Sequence, residues 1–334
     1  MIHSIRMKYP LVMTLPDLTA LFGFDVTTFI DHSTTIQIEN FLTYRKLDVQ
    51  EQSKALRHLD RYLREDRQVV ASQERTAKWE EGWNYNLQTF LESKSYQDLQ
   101  PQYYRAKEKV AELIGLNTGE YVYRYKKELI ATPNPNFEEI FAEVVRQAVL
   151  RRYFYGYKAK RQVEFGCGSC LNILRMAKDQ PDVTTYAIDF VQPPLDIAKE
   201  IGRNEQVEIR TILQDMRDMS DFNQDFSNSR IFTFGALEQL GGIYGAESWL
   251  NWAANQNNSK FVLVEPCVET YDLMSAVDLS ALSFHLKRGY TSGIISSLKS
   301  KERNGVISNL KVHRIQFGSL FIEGYTLIVF ETIC

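Results

Sequence analysis

The chain has 334 residues, 44% of them hydrophobic, with 42 acidic side chains against 39 lysines and arginines and a formal net charge of −3. That length can bury a large core in two units, and a charge so near balance exerts no general pull toward nucleic acid or an acidic membrane surface. Four cysteines without regular spacing make no disulfide framework, and no run approaches the roughly 18 apolar residues that cross a bilayer, so the expectation is a soluble cytoplasmic protein without membrane or nucleic-acid partners.

The opening segment, to about Leu47, is apolar in patches. It reads as a small α/β cap or as a dimerisation arm, which leaves a homodimer open. A polar helix is expected over 49–72, with Leu56, Leu59 and Leu63 at i, i+3 and i+7. A second, over 77–91, sets Trp79, Trp83, Leu87 and Phe90 along one face, and a third is expected over 102–114. Asn117, Thr118 and Gly119 mark a turn before the aromatic cluster Tyr121, Tyr123 and Tyr125. Thr132-Pro133-Asn134-Pro135-Asn136 then breaks the pattern and divides a mainly helical N-terminal region, 1–136, from a second domain, 137–334.

That second domain starts with an amphipathic helix over 137–154. Short apolar runs then alternate with helical patterns, the signature of βαβ units around a parallel sheet. Strands are expected at 162–165, 184–188, 207–213, 231–234 and 261–264, with two more near 311–317 and 325–330. The basic cluster Arg151, Arg152, Lys158, Lys160 and Arg161 falls at a helix C-terminus, where the dipole favours cations, and reads as a solvated face.

Val163-Glu164-Phe165-Gly166-Cys167-Gly168-Ser169-Cys170 reads as a buried strand ending in an acid and a glycine turn, and Tyr186-Ala187-Ile188-Asp189 as the next strand ending in an acid. Glycines there let a ligand approach the backbone, and a carboxylate at the following strand tip suits a ribose diol. The unit asks for a nucleoside-containing cofactor. A dinucleotide fingerprint would carry a third glycine where Leu171 stands, and no lysine follows for a phosphate loop. Cys167 and Cys170 also form a C-x-x-C of the thioredoxin kind, but no tryptophan precedes them and the acid-tipped strand would go unexplained. Cys267 and Cys334 stand alone, so no metal is expected.

With Glu164 two residues before Gly166, the segment resembles motif I of the class I S-adenosylmethionine (SAM)-dependent methyltransferases. Cys170 replaces that family's third glycine and is expected to fit with a negative φ. The resemblance extends to Trp79-Glu80-Glu81-Gly82-Trp83, Asn134-Pro135-Asn136-Phe137, Gly235-Ala236-Leu237-Glu238-Gln239, Glu265-Pro266 and Phe317-Gly318-Ser319-Leu320-Phe321-Ile322-Glu323-Gly324-Tyr325, over roughly 79–331. It implies a Rossmann-like seven-stranded sheet whose last two strands form an antiparallel hairpin at one edge, and it supplies no acceptor.

For SAM, the resemblance implies contacts from Glu164, Gly166, Cys167, Gly168, Asp189 and Phe190, from Gln214, Asp215 and Met216 at the adenine, and from Gly235 near the methyl. Asp215 also reads as a helix N-cap. Methyl transfer needs mostly alignment and exclusion of water, with a base only where the acceptor sheds a proton. Candidate bases are Glu238, Glu265 and His285; Glu265 also reads as a cap or salt-bridge partner at its strand end, and His285 as a structural helix histidine. Trp79, Trp83, Tyr123 and Tyr125 read as core or as a lid over substrate, with Arg124, Lys126 and Lys127 within reach of a carboxylate. Gly235-Ala236-Leu237-Glu238 departs from the Asn/Asp-Pro-Pro-Tyr/Phe motif of amino methyltransferases, which points to O-methylation of a small molecule such as a sugar or secondary metabolite. Methylation of RNA or protein, and a noncatalytic SAM-binding protein, are the competing readings.

Overall fold

In the computed structural model the described residues are 9–65, 70, 73–99 and 119–333. The expected helix over 102–114, positions 117 and 118 of the turn, the 66–69 and 71–72 portion of the first expected helix, and Cys334 lie outside them. β1 (Leu11–Val12), β2 (Thr43–Lys46), β3 (Tyr121–Tyr125) and β4 (Glu128–Thr132) come from the N-terminal region. β5 (Arg161–Phe165), β6 (Thr184–Asp189), β7 (Ile209–Leu213), β8 (Ser229–Phe234), β9 (Lys260–Glu265), β10 (Ile307–Ser319) and β11 (Glu323–Thr332) follow.

All eleven join one sheet in the order β1-β2-β4-β3-β10-β11-β9-β8-β5-β6-β7, where seven strands were expected. The five from β5 to β9 run parallel, and the chain winds from β5 outward through β6 to β7, then returns to the other side for β8 and β9. This Rossmann-like reversal between β5 and β8 opens a crevice at the strands' carboxyl ends. Both faces are covered, as parallel sheets require. Val163, Phe165, Ile231 and Leu263 enter one apolar cluster, while Phe232, Val262 and Val264 enter another.

The β10–β11 hairpin is antiparallel as expected, but it is not an edge. Phe317, Gly318 and Ser319 of β10 pair with Tyr125, Arg124 and Tyr123 of β3. The N-terminal region is therefore helical in part and strand in part. Tyr121–Tyr125 is buried at every position and alternates tyrosine with Val122 and Arg124, a period of two that suits a pleated strand. Lys126 and Lys127, at φ of +50° and +63°, make the two-residue turn into β4.

The helix Val49–Glu65 buries Ala55, Leu59 and Leu63. The helix Gln73–Ser93 anchors Leu87 and Phe90 in the core and leaves Trp79 and Trp83 half-buried. Within the basic cluster, Arg151 pairs with Asp179 at 3.1 Å and the Arg152 guanidinium lies 4.8 Å over the Phe24 ring. No helix among the described residues is long and apolar enough to cross a membrane.

Candidate active site

The β5 strand ends at Phe165, and the backbone turns through Gly166 and Gly168 at φ of +68° and +44°. A Cβ on Gly166 would lie 2.5 Å from the Ala236 Cβ, so this glycine lets the tips of β5 and β8 close together. A Cβ on Gly168 would meet the Trp83 ring at 3.0 Å, which puts the tryptophan directly over the loop. Cys170 has φ +58°, not the expected negative value, and its buried thiol lies 3.1 Å from the Pro194 carbonyl. The helix Leu171–Asp179 starts from this left-handed residue, and the contact inside the fold holds a cysteine where glycine is the easier occupant.

Asp189 ties the loop down. Its Oδ2 accepts from the Gly168 N–H at 3.0 Å, and its Oδ1 accepts from the Val191 N–H at 3.2 Å. Burial raises its pKa to about 6 against the pull of those backbone donors. Glu164 sits beneath, fully buried, accepting from Asn172 Nδ2 at 2.6 Å, and Arg146 Nε steadies that asparagine at 2.6 Å. Burial pushes Glu164 up to about 8, and its Oε2 has no hydrogen-bond partner among the described residues.

Two cavities meet above this loop. The crevice, about 90 Å³, is lined by Gly166, Gly168, Asp189, Phe190, Gln214, Asp215, Met216 and Gly235. The larger chamber, about 910 Å³, lies between the helix Gln73–Ser93, the strand β3 and the turn after β10. Arg75, Trp79, Trp83, Gly235 and Gln239 line both, so the two are joined at the tip of β8. Asp215 is not a helix cap: its carboxylate receives the Arg217 N–H and guanidinium at 2.9 Å, bracing the turn after β7.

Glu238 lines the chamber, with Oε1 3.8 Å from where a Gly235 Cβ would stand, and it receives Gln239 Nε2 at 2.9 Å. Glu265, fully buried, accepts the Ala236 and Leu237 N–H groups at 3.1 Å and so fixes the tip of β8. The two carboxyls face each other, and burial raises both. Glu265 is pushed well above the carboxylate range because it is sealed from water and faces the Glu238 charge. The proton of the pair therefore rests on Glu265, and Glu238 is the member open to a ligand.

His285 lies away from both cavities. It is sealed in the helix Ala276–Arg288, its Nε2 donates to the Thr291 carbonyl at 2.9 Å, and burial holds its pKa down to about 4, leaving a neutral ring with no access to a substrate. Tyr123 lines the chamber, whereas Tyr125 packs edge-on against Tyr44 at 5.6 Å between centroids. Arg124 is spent on the Leu320 carbonyl at 2.9 Å and Ser280 Oγ at 2.9 Å, Lys126 faces Asp17 at 3.7 Å, and Lys127 pairs with Asp272 at 2.8 Å. None of these three cations lines either cavity.

Arg75, Asn86, Arg288 and Tyr290 line the chamber without having been singled out from the sequence, and Phe321, which lies within a resemblance motif, lines it as well. Arg75 and Asn86 continue the Trp79/Trp83 stripe one helical turn each way, a spacing that could have shown them. Arg288 and Tyr290 arrive from the end of the distant helix Ala276–Arg288 and just beyond it, and no local pattern carries that information. Among the described residues no group of three or more His, Cys, Asp or Glu could hold a metal ion.

No family model and no curated protein matches the chain. Among solved structures it is similar to the S-adenosylmethionine-dependent methyltransferase SibL in its apo form, at 13% identity over 84% of this chain and 74% of that one, with a TM-score of 0.44. It is also similar to an O-methyltransferase family protein from Burkholderia thailandensis, at 10% identity over 59% and 60% of the two chains, with a TM-score of 0.44. The [4+2]-cyclase SpnF is similar at 11% identity over 57% of this chain and 80% of that one, with a TM-score of 0.42. With its parallel β7-β6-β5-β8-β9 core, its β10–β11 hairpin and its glycine loop after β5, the chain has the Rossmann-like fold of class I SAM-dependent methyltransferases.

Proposed function

We propose that the protein transfers a methyl group from SAM to a hydroxyl of a small molecule held in the chamber. The observation that carries this reading is the junction at Gly235, where a glycine-looped crevice opens onto a larger cavity beside a carboxylate. Residues 137–334 would form the cofactor domain, and 1–136 the cap that completes the chamber.

The residues of the crevice fit the cofactor in chemistry. Asp189 keeps lone pairs free for the two ribose hydroxyls beyond its backbone donors. Gln214, Asp215 and Met216 would border the adenine, with Phe190 against its face. Glu164, buried with an unused oxygen, would lie across the loop from the cationic amino-acid end, whose charge would favour its ionised form. When bound, SAM supplies a methyl on a sulfonium that is already a good leaving group.

The chain's own residues then supply alignment and dryness. Trp79 and Trp83, stacked with centroids 5.7 Å apart, roof the junction and keep water out of it. Glu265 holds the β8 tip through two backbone N–H groups, so Gly235 and Glu238 keep fixed positions. Glu238, with its neighbour carrying the pair's proton, can take one more from the acceptor hydroxyl.

Calorimetry with SAM and with its demethylated product tests the cofactor, and transfer of labelled methyl to extracts with and without nuclease tests the acceptor. Folded protein that binds neither compound ends the proposal. Tight SAM binding with no transfer to any extract would make this a noncatalytic binding protein, and nuclease-sensitive transfer would make RNA the acceptor.

A further inference from the structure

We infer that the chamber takes a planar, multi-ring aromatic acceptor carrying an ionisable ring hydroxyl, and not a sugar. The inference rests on the methyl-transfer reading and narrows its acceptor. Size comes first. At about 910 Å³ the chamber stands near the top of the roughly 300–1,000 Å³ that enclose drug-sized ligands, far more than one pyranose ring fills.

The walls decide the rest. Phe284 and Tyr62 flank Phe321 at 5.2 and 5.0 Å between centroids, a platform already built in the fold. Trp79 and Trp83 form the wall nearest the crevice, with their planes only 13° apart. A flat ring packs against such faces offset or edge-on. A sugar would bring hydroxyls on every edge, and each one buried without a partner is costly. Polar side chains line it too: Arg75, Lys78 and Asn86 on the tryptophan-bearing helix, Glu238 and Gln239 at the Gly235 junction, Glu138, and Arg288, which donates to the Tyr62 hydroxyl at 3.0 Å. Broad aromatic walls with a carboxylate at the Gly235 junction describe a ring system that presents one reactive edge to Glu238.

The base also matches. A phenol loses its proton near pH 10 in water, as tyrosine does, much closer to a carboxylate raised by burial than an alcohol is. In the transfer, the ring oxygen forms the new O–C bond with its own electron pair as the methyl C–S bond breaks. The electrons of that bond stay on sulfur, and the hydroxyl proton passes to Glu238.

Alizarin, a three-ring dihydroxy arene, and methyl glucoside serve as probes, titrated into the full chain without SAM and followed by calorimetry and tryptophan fluorescence. Alizarin is expected to bind and to quench, methyl glucoside to do neither. Phe321→Ala should weaken alizarin roughly tenfold or more while SAM affinity stays unchanged, and Tyr62→Ala on the same platform provides a second variant should the first misfold. Folded protein that binds SAM but not alizarin, or prefers the glucoside, or holds alizarin equally well in both variants, overturns the inference. Alizarin binding without SAM binding would keep the ligand class and remove the methyl-transfer reading instead.

Discussion

Replacing Asp189 by asparagine separates a ribose ligand from a mere brace of the glycine loop. In the native structure its two oxygens accept the Gly168 and Val191 N–H groups at 3.0 and 3.2 Å. Asparagine keeps the volume but turns one acceptor into an NH₂ facing a backbone N–H, and leaving that donor unpaired costs about 1–3 kcal/mol of stability. The ligand also loses a bond to a charged acceptor, about 1.5–3 kcal/mol. At about 1.4 kcal/mol per factor of ten, SAM should bind roughly 10- to 150-fold more weakly. Calorimetry with SAM, on a variant shown to be folded by circular dichroism and a thermal melt, reads that change. A folded Asp189→Asn protein with wild-type SAM affinity refutes the reasoning, because the carboxylate would then serve the loop alone.

Other substitutions probe the neighbouring contacts. Gly166→Ala forces a Cβ to 2.5 Å from Ala236 at a φ of +68°, so about 2–5 kcal/mol of strain and overpacking should lower Tm by several degrees; an unshifted melt would mean the strand tips part freely. Glu238→Gln should cut kcat roughly 10²- to 10⁴-fold with SAM affinity retained, and the wild-type rate should fall as acid titrates Glu238 through its raised pKa. A Glu238→Gln enzyme with full kcat would leave no role for the base. Glu164 and Asp189 titrate natively at about 8 and about 6, above their ordinary 4.5 and 3.8. The native state thus holds protons that the unfolded chain releases, so stability without ligand is full below the ordinary carboxylate range and drains away as pH rises through about 8. Denaturant titrations between about pH 5 and about pH 9 should show this decline, and a flat profile would contradict the burial of those groups.

The glycine loop, the acid-tipped strands and the alternation of strand and helix were legible because each is encoded within a few residues. Glu164, Gly166, Gly168 and Asp189 fall within about 25 consecutive positions and need only a βαβ unit to bring them together. The N-terminal strands were not legible as part of the same sheet. Tyr121–Tyr125 alternates plainly enough, but nothing local says that its partner is β10, almost two hundred residues away in the chain. His285 misled for a related reason: its residue type suits a base, while its burial depends on Thr291 and Tyr290, beyond the end of its own helix. Cys170 shows the limit of size arguments, since a small side chain still had to accept a left-handed backbone.

The pairing of β3 with β10 has a mechanical side. Because the N-terminal region is stitched to the rest of the sheet by main-chain hydrogen bonds, it cannot swing open as a rigid clamp without tearing a ladder. The same stitching means that cutting away the first 136 residues would bare the β10 edge, inviting strand-to-strand association of the truncated chains.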